Sequence, residues 1–238
     1  MKIISLSSGS HGNSYLVKEG EDVMLIEAGL PPKKLKERLW DNDINISDID
    51  MCLISHVHQD HFKAAEYLTG RGVDVYLPED TRLDFTMEVR LDRVNYLKGN
   101  TINRIGNFVV RTMDLEHDGI INFGFYGKHI ETEQTFFYAT DTMYIRYRPT
   151  DVNYWLVEVN YQGKYLEQGI IEGKMDRGQV RRIKRSHMGL DTAVEFFRNQ
   201  NLHHTKEIWL LHLSDRNSNP EEVKKEVQKV TGKEVYIA

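Results

Sequence analysis

The stretch Ile54-Ser55-His56-Val57-His58-Gln59-Asp60-His61 sets three histidines and one aspartate within six positions, the pattern H-x-H-x-D-H. Neutral imidazole and carboxylate are the ligands that suit zinc, manganese and iron(II). A packed core has little use for four titratable groups so close together. The competing reading is a solvated, histidine-rich loop. Residues 50–55 in front of the cluster are apolar enough for a buried strand, and residues 62–68 behind it read as a helix. A loop between a strand end and a helix is where α/β folds place their chemistry.

Working outward, residues 2–7, 15–17 and 23–26 read as strands. The turn at residues 8–14 has the glycines of a phosphate cradle but neither the following helix nor the lysine, so it reads as a strand connection. Pro31-Pro32 opens a helix in which Leu35, Leu39 and Trp40 recur at helical spacing. Downstream, residues 73–77 form a strand pattern and residues 78–90 a helical one. Strands are then expected at 108–112, 121–126, 135–138, 154–159, 208–211 and 235–237, and helices at 192–200 and 220–230.

The 238 residues are 40% hydrophobic and 28% charged, the balance of a folded chain with room for a sizeable core. A net charge of -5 does not advertise a nucleic-acid binder, but two bound divalent ions would nearly cancel it. Cys52 is the only cysteine, which excludes an intramolecular disulfide and a cysteine-based zinc site. Its apolar setting at residues 51–54 suits a buried, inert thiol. The N-terminus reaches glycine and serine too soon for a signal peptide, and no apolar run approaches the roughly 20 residues that span a bilayer, so a cytoplasmic location is expected.

Three more residues follow strands: His117 in Leu115-Glu116-His117-Asp118-Gly119, Asp141 in Ala139-Thr140-Asp141, and His212 after residues 208–211. Singly each is an ordinary polar residue. With His56, His58, Asp60 and His61 they complete two sites of three protein ligands and a shared carboxylate, leaving coordination open as a catalytic centre does. Residues 174–187 carry six basic side chains (Lys174, Arg177, Arg181, Arg182, Lys184, Arg185) against one acid, Asp176, and lead directly into Ser186-His187. Such a run is either a solvated face or a phosphate-binding one.

On these residues the chain resembles the metallo-β-lactamase fold superfamily, over essentially its full length. Residues 55–61, SHVHQDH, look like the second signature of that family, and His117, Asp141 and His212 match the third, fourth and fifth. The resemblance implies one domain over residues 1–238, of α/β class, built as a four-layer αββα sandwich around two divalent metal ions, zinc or manganese. It implies that one ion takes His56, His58 and His117, that the other takes Asp60, His61 and His212, and that Asp141 bridges them. The opening SGSHGNSYLV (residues 8–17) and closing HLSDRNS (residues 212–218) are most similar to the WalJ/YycJ group, described as DNA exonucleases. That group usually closes HLSxxNN, whereas this chain has Asn217-Ser218, and Glu27 stands where the family more often has Asp.

Phosphodiester hydrolysis needs a nucleophile, neutralised phosphoryl oxygens and a proton for the leaving oxygen. Two bridged metals would meet the first two needs, with Asp60 among the residues required. His187 is the candidate general acid and Glu158 the residue that would orient it. The expected activity is that of a dinuclear metal-dependent phosphodiesterase, foremost a nuclease of the DNA exonuclease type. The alternative is a phosphodiesterase of a small substrate such as a cyclic nucleotide. A metal-dead binding module would lack ligands, and none of the seven is missing. The substrate partner is thus DNA, RNA or a cyclic nucleotide, with no membrane and with a homodimer as in many relatives.

Overall fold

Short β-rich runs separated by glycine turns open the chain, and in the computed structural model they pair in sequence order. The structure describes residues 1–79, 81 and 90–238; residues 80 and 82–89 of the expected helix at 78–90 lie outside the described residues, and Pro78 itself ends a strand. Contacts divide the chain into two units, Met1–Thr112 with Gly127–Gln134, and Met113–Tyr126 with Thr135–Ala238.

The first unit holds a six-stranded sheet in the order β1 (Lys2–Ser7), β2 (Ser14–Glu19), β3 (Asp22–Ile26), β4 (Met51–Leu53), β5 (Asp74–Pro78) and β6 (Val94–Leu97). β1, β2 and β3 are antiparallel, with the hairpin between β2 and β3 closed by Gly20 at φ +60. From β3 to β6 the pairing is parallel, and parallel neighbours need crossovers. These include α1 (Pro32–Trp40) between β3 and β4, and α2 (Gln59–Phe62) and α3 (Ala65–Gly70) between β4 and β5. On α1, Leu35 and Leu39 are buried, but Trp40 is 75% exposed and does not join the apolar stripe expected for it.

The helix expected at 62–68 is two helices with a break at Lys63-Ala64. The break is where the loop docks: the Ala64 amide donates to the Ala28 carbonyl at 2.7 Å and the Asn13 amide to the Asp60 carbonyl at 2.7 Å. Gly29 permits that approach, since a Cβ there would lie 1.7 Å from the Asp60 carbonyl oxygen. The metal-type loop is therefore pinned by backbone against the end of β3.

β7 (Ile102–Ile105), β8 (Phe108–His117) and β9 (Ile120–His129) follow, with β7 and the first residues of β8 grouped with the first unit. The second unit adds β10 (Thr135–Ala139), β11 (Tyr154–Glu158), β12 (Glu207–Leu211) and β13 (Glu234–Ile237), in the order β13-β12-β11-β10-β9-β8. β10 to β13 are all parallel. Their near-continuous apolar sequences, such as Tyr154-Trp155-Leu156-Val157, are what strands covered on both faces require. The crossovers carry α4 (Gly163–Ile171), α5 (Arg177–Ser186), α6 (Leu190–Arg198) and α7 (Pro220–Thr231).

α4 was not expected from the sequence, where its glycines and its exposed Ile171 blur the pattern. α5 contains most of the basic run and starts with a capping box between Asp176 and Gln179. Trp155, Phe137, Phe196 and Phe197 pack as a buried aromatic cluster under α6. Two sheets with helices give the mixed α/β class expected. Among the described residues, no helix is long and apolar enough to cross a membrane.

Candidate metal centre

In the first unit, the residues after β4 bring His56, His58, Asp60 and His61 together. His56 and His61 are fully buried, with ring centroids 4.2 Å apart. His56 Nε2 lies 3.1 Å from His58 Nδ1, and His61 Nε2 lies 3.5 Å from Asp60 Oδ2. Ser55 Oγ sits 2.9 Å from His56 Nδ1. With a proton on Nδ1 facing that hydroxyl, Nε2 keeps its lone pair on the side of His58, the tautomer a metal ligand needs. Glu27, buried at the end of β3, accepts from the Ser55 amide at 3.2 Å and lies 3.4 Å from His61 Nδ1. Asn13 adds its side-chain nitrogen 3.1 Å from His61 Nε2.

In the second unit, strand ends and one helix end converge. His117 is the last residue of β8, Asp141 follows β10, Glu158 ends β11, His187 follows α5 and His212 follows β12. The Ser186 carbonyl accepts from His117 Nδ1 at 3.1 Å, leaving Nε2 aimed at Asp141 Oδ1, 3.9 Å away. His212 Nε2 is 3.9 Å from the same oxygen, while its Nδ1 lies 3.0 Å from Asn160 Nδ2 and 3.4 Å from Glu158 Oε1. His187 Nδ1 donates to Glu158 Oε1 at 2.6 Å and lies 3.4 Å from Asp141 Oδ1. Its ring stacks on His212 with centroids 5.3 Å apart.

Charge states differ within this cluster. Burial holds His117 below the ordinary histidine pKa, against the opposing pull of Asp141, and so favours the neutral form that a ligand needs. Burial also disfavours charge on His187, but the Glu158 carboxylate and its hydrogen bond outweigh it and raise the pKa. Burial pushes Glu158 up, and His187 with its hydrogen bond brings it below the usual carboxylate value. Both partners shift toward the charged pair.

Three of these residues also carry backbone cost. Glu27, Asp141 and His212 lie just past β3, β10 and β12 with φ of +64, +50 and +54. Non-glycine residues rarely adopt this left-handed region, and they cluster where a site over-determines the chain. Each turn swings a ligand-type side chain off a parallel strand.

A cavity of about 950 Å³ opens beside His187 within the second unit. Arg182 and Arg216 contribute cations to its wall, and Tyr165, Met175 and Ile183 contribute apolar surface.

The donor chemistry fits divalent ions. One ligand atom each from Asp141, Glu158, His187 and His212 lie within 4.8 Å of one another, and two buried carboxylates in one cluster favour a cation beside them. Sequence reasoning missed Asn13, Asn160 and the Ser186 carbonyl, which hold the histidines. An asparagine in a glycine turn or after a strand shows no sign of burial in sequence.

Comparison with known proteins agrees. The chain is 26% identical to Exodeoxyribonuclease WalJ of Streptococcus pneumoniae over 224 residues, 90% of this chain and 81% of that one. It is 27% identical to Exodeoxyribonuclease YycJ of Bacillus anthracis over 241 residues, 94% and 87% of the two chains. The crystal structure of the metallo-beta-lactamase fold protein YhfI from Bacillus subtilis superposes with TM-score 0.73 at 16% identity, covering 99% of this chain and 95% of the other. The family profile described as the metallo-beta-lactamase superfamily matches residues 8–133, more than half of the sequence and including the whole H-x-H-x-D-H loop. The chain belongs to the metallo-β-lactamase superfamily.

Proposed function

We propose that the chain is a metal-dependent phosphodiesterase whose substrate is DNA, with exonuclease-type hydrolysis as its reaction. One observation carries the reading: a histidine biased toward its protonated form by a buried carboxylate stands in a cavity wall, inside a cluster of metal-type ligands. That is the placement needed to deliver a proton to the leaving oxygen of a phosphodiester. The relatives named exodeoxyribonucleases support it over nine-tenths of the chain.

In this reading His56, His58 and His117 would hold one divalent ion and Asp60, His61 and His212 the second, with Asp141 placed to serve both. The ions, zinc or manganese, supply the activated water and the neutralising charge on phosphate when bound. Glu158 accepts from Nδ1–H of His187 and favours the imidazolium, and His187 gives up its Nε2 proton to the leaving oxygen while Nδ1 keeps its own. Ser186 and Asn160 hold His117 and His212 in register. Residues 1–238 act as one catalytic domain, cytoplasmic and paired as a homodimer.

Hydrolysis of a small phosphodiester such as a cyclic nucleotide is the second reading, favoured by the net charge of -5 and by a cavity large enough for one nucleotide. A panel of linear DNA, RNA, cyclic nucleotides and a lactam, run with Mn²⁺ and with Zn²⁺, separates them. DNA cleavage that weakens steeply with salt supports the nuclease. Turnover of the cyclic substrate alone, nearly independent of salt, supports the second reading, and no cleavage of any phosphodiester overturns both. Size-exclusion mass, cell fractionation and the number of thermal transitions test the dimer, the location and the single domain.

A further inference from the structure

The basic run does not present one surface. α5 turns Gln179, Arg182, Ile183 and Ser186 toward the cavity, and Arg182 there is paired with Asp118 at 3.5 Å. Lys174, also in the cavity wall, is paired with Glu172 at 2.6 Å. The remaining four cations, Arg177, Arg181, Lys184 and Arg185, fall at i, i+4, i+7 and i+8 and so share the opposite face of the helix. All four are exposed. Among the described residues, none of the four has a carboxylate within ion-pair distance.

That arrangement differs from the other charged helices. α1 pairs Lys34 with Glu37 and Arg38 with Asp41, α6 pairs Arg198 with Glu195, and α7 pairs Lys229 with Glu226, each at three-residue spacing. α5 has no acid within its bounds, and Asp176 in front of it is occupied in the capping box. The helix dipole favours Lys184 and Arg185 in the last turn but opposes Arg177 in the first. Arg177, Arg181 and Arg185 stand one turn apart as like charges, which repel. The other helices offset their cations with acids on the same face, and this face carries cations alone. From Arg177 to Arg185 the stripe runs roughly 12 Å along the axis, long enough for more than one phosphate of a strand. It ends at the turn where Ser186 and His187 enter the ligand cluster.

We propose that the face formed by Arg177, Arg181, Lys184 and Arg185 is a docking surface for the sugar–phosphate backbone of the nucleic-acid substrate, away from the bond that is cut. This rests on the reading of the substrate as DNA. It gives a chain of net negative charge a local positive stripe whose far end adjoins the turn carrying Ser186 and His187.

The test is the salt dependence of binding, read by fluorescence anisotropy on the metal-loaded protein with a phosphorothioate-linked, labelled single-stranded oligonucleotide. Exchanging the four residues together (Arg177→Gln, Arg181→Gln, Lys184→Gln, Arg185→Gln) is expected to flatten the slope of log K against log salt by about 0.7 for each cation that meets a phosphate, to a total of about 3. The charge-conserving set Arg177→Lys, Arg181→Lys and Arg185→Lys should keep the slope, which separates lost charge from lost helix. Removing four exposed cations of α1 (Lys33, Lys34, Lys36 and Arg38, each to Gln) should also leave it unchanged. An unchanged slope in the α5 variant, or an equal loss in the α1 variant, overturns the proposal. Salt-dependent binding of this kind with no cleavage of unmodified DNA in the substrate panel would instead sink the nuclease reading and leave the docking surface standing.

Discussion

The two ligand clusters are built by opposite means. In the first unit four candidate ligands come from six consecutive residues, held by Asn13 and Glu27 from neighbouring turns. In the second, five residues between His117 and His212 arrive from four strand ends and a helix end, and the parallel register of β10, β11 and β12 brings three of them, Asp141, Glu158 and His212, to the same edge. A local cluster asks only for a well-placed loop. A dispersed one uses the whole sheet as its jig, so its geometry and the stability of the sheet are one property. The backbone shows the same contrast, with Asp118, Asp141 and His212 left-handed in the second unit and Glu27 alone among the residues around the first cluster.

If the clusters serve one centre, losing a carboxylate from either should be equally fatal. Asp60→Ala and Asp141→Ala are each expected to drop turnover to background and lower bound metal, measured by elemental analysis, with the far-UV spectrum unchanged. Substantial turnover in one of the two would break the pairing of the clusters. His187→Ala should come next, with kcat reduced by about 10²–10⁴-fold while metal content stays normal; full activity would remove His187 from the mechanism.

Glu158→Gln tests the electrostatics of the dispersed cluster. A general acid works while protonated, and Glu158 raises the His187 pKa, so without that charge the alkaline limb of the kcat profile should move to lower pH. The pair's contribution to stability has the matching signs. It is lost on the acid side as pH falls through the lowered Glu158 pKa, and on the alkaline side as pH rises through the raised His187 pKa. A limb that stays in place in Glu158→Gln would mean that another group sets it.

Asn13→Ala and Asn160→Ala probe the supports, one for each cluster. Each should weaken metal affinity by about 10–100-fold, read by competition with a chelator. Equal metal affinity before and after would reduce that asparagine to a packing residue. The smallest effect is expected at Cys52, fully buried in β4 with its thiol pKa pushed up by burial. It should react with a thiol reagent only after unfolding, and rapid labelling of the native protein would place the strand before the loop nearer to solvent.

The same contrast explains what could be read in advance. The local cluster is legible because H-x-H-x-D-H is a composition no core requires. The apolar runs of β4, β10, β11 and β12 are legible because doubly covered strands have little alternation. His117, Asp141 and His212 have no local pattern, and their grouping rested on the family resemblance and on their place after strands. The supports stayed hidden because burial of an asparagine is a tertiary fact. The expected helix at 62–68 failed as a single element because backbone docking at Ala28 and Asn13 overrode propensity, and Trp40 failed as a core residue because one residue past Leu39 is already another face.

The left-handed turns at Glu27, Asp141 and His212 have a consequence for how such a chain ages. Asparagine and glycine occupy that backbone region more easily than glutamate or histidine. Once turnover no longer matters to a lineage, exchanges to those residues relieve strain and are the ones drift should accept first. Relatives that have kept the architecture but lost their reaction should therefore betray it at these three positions before the rest of the sheet records any change.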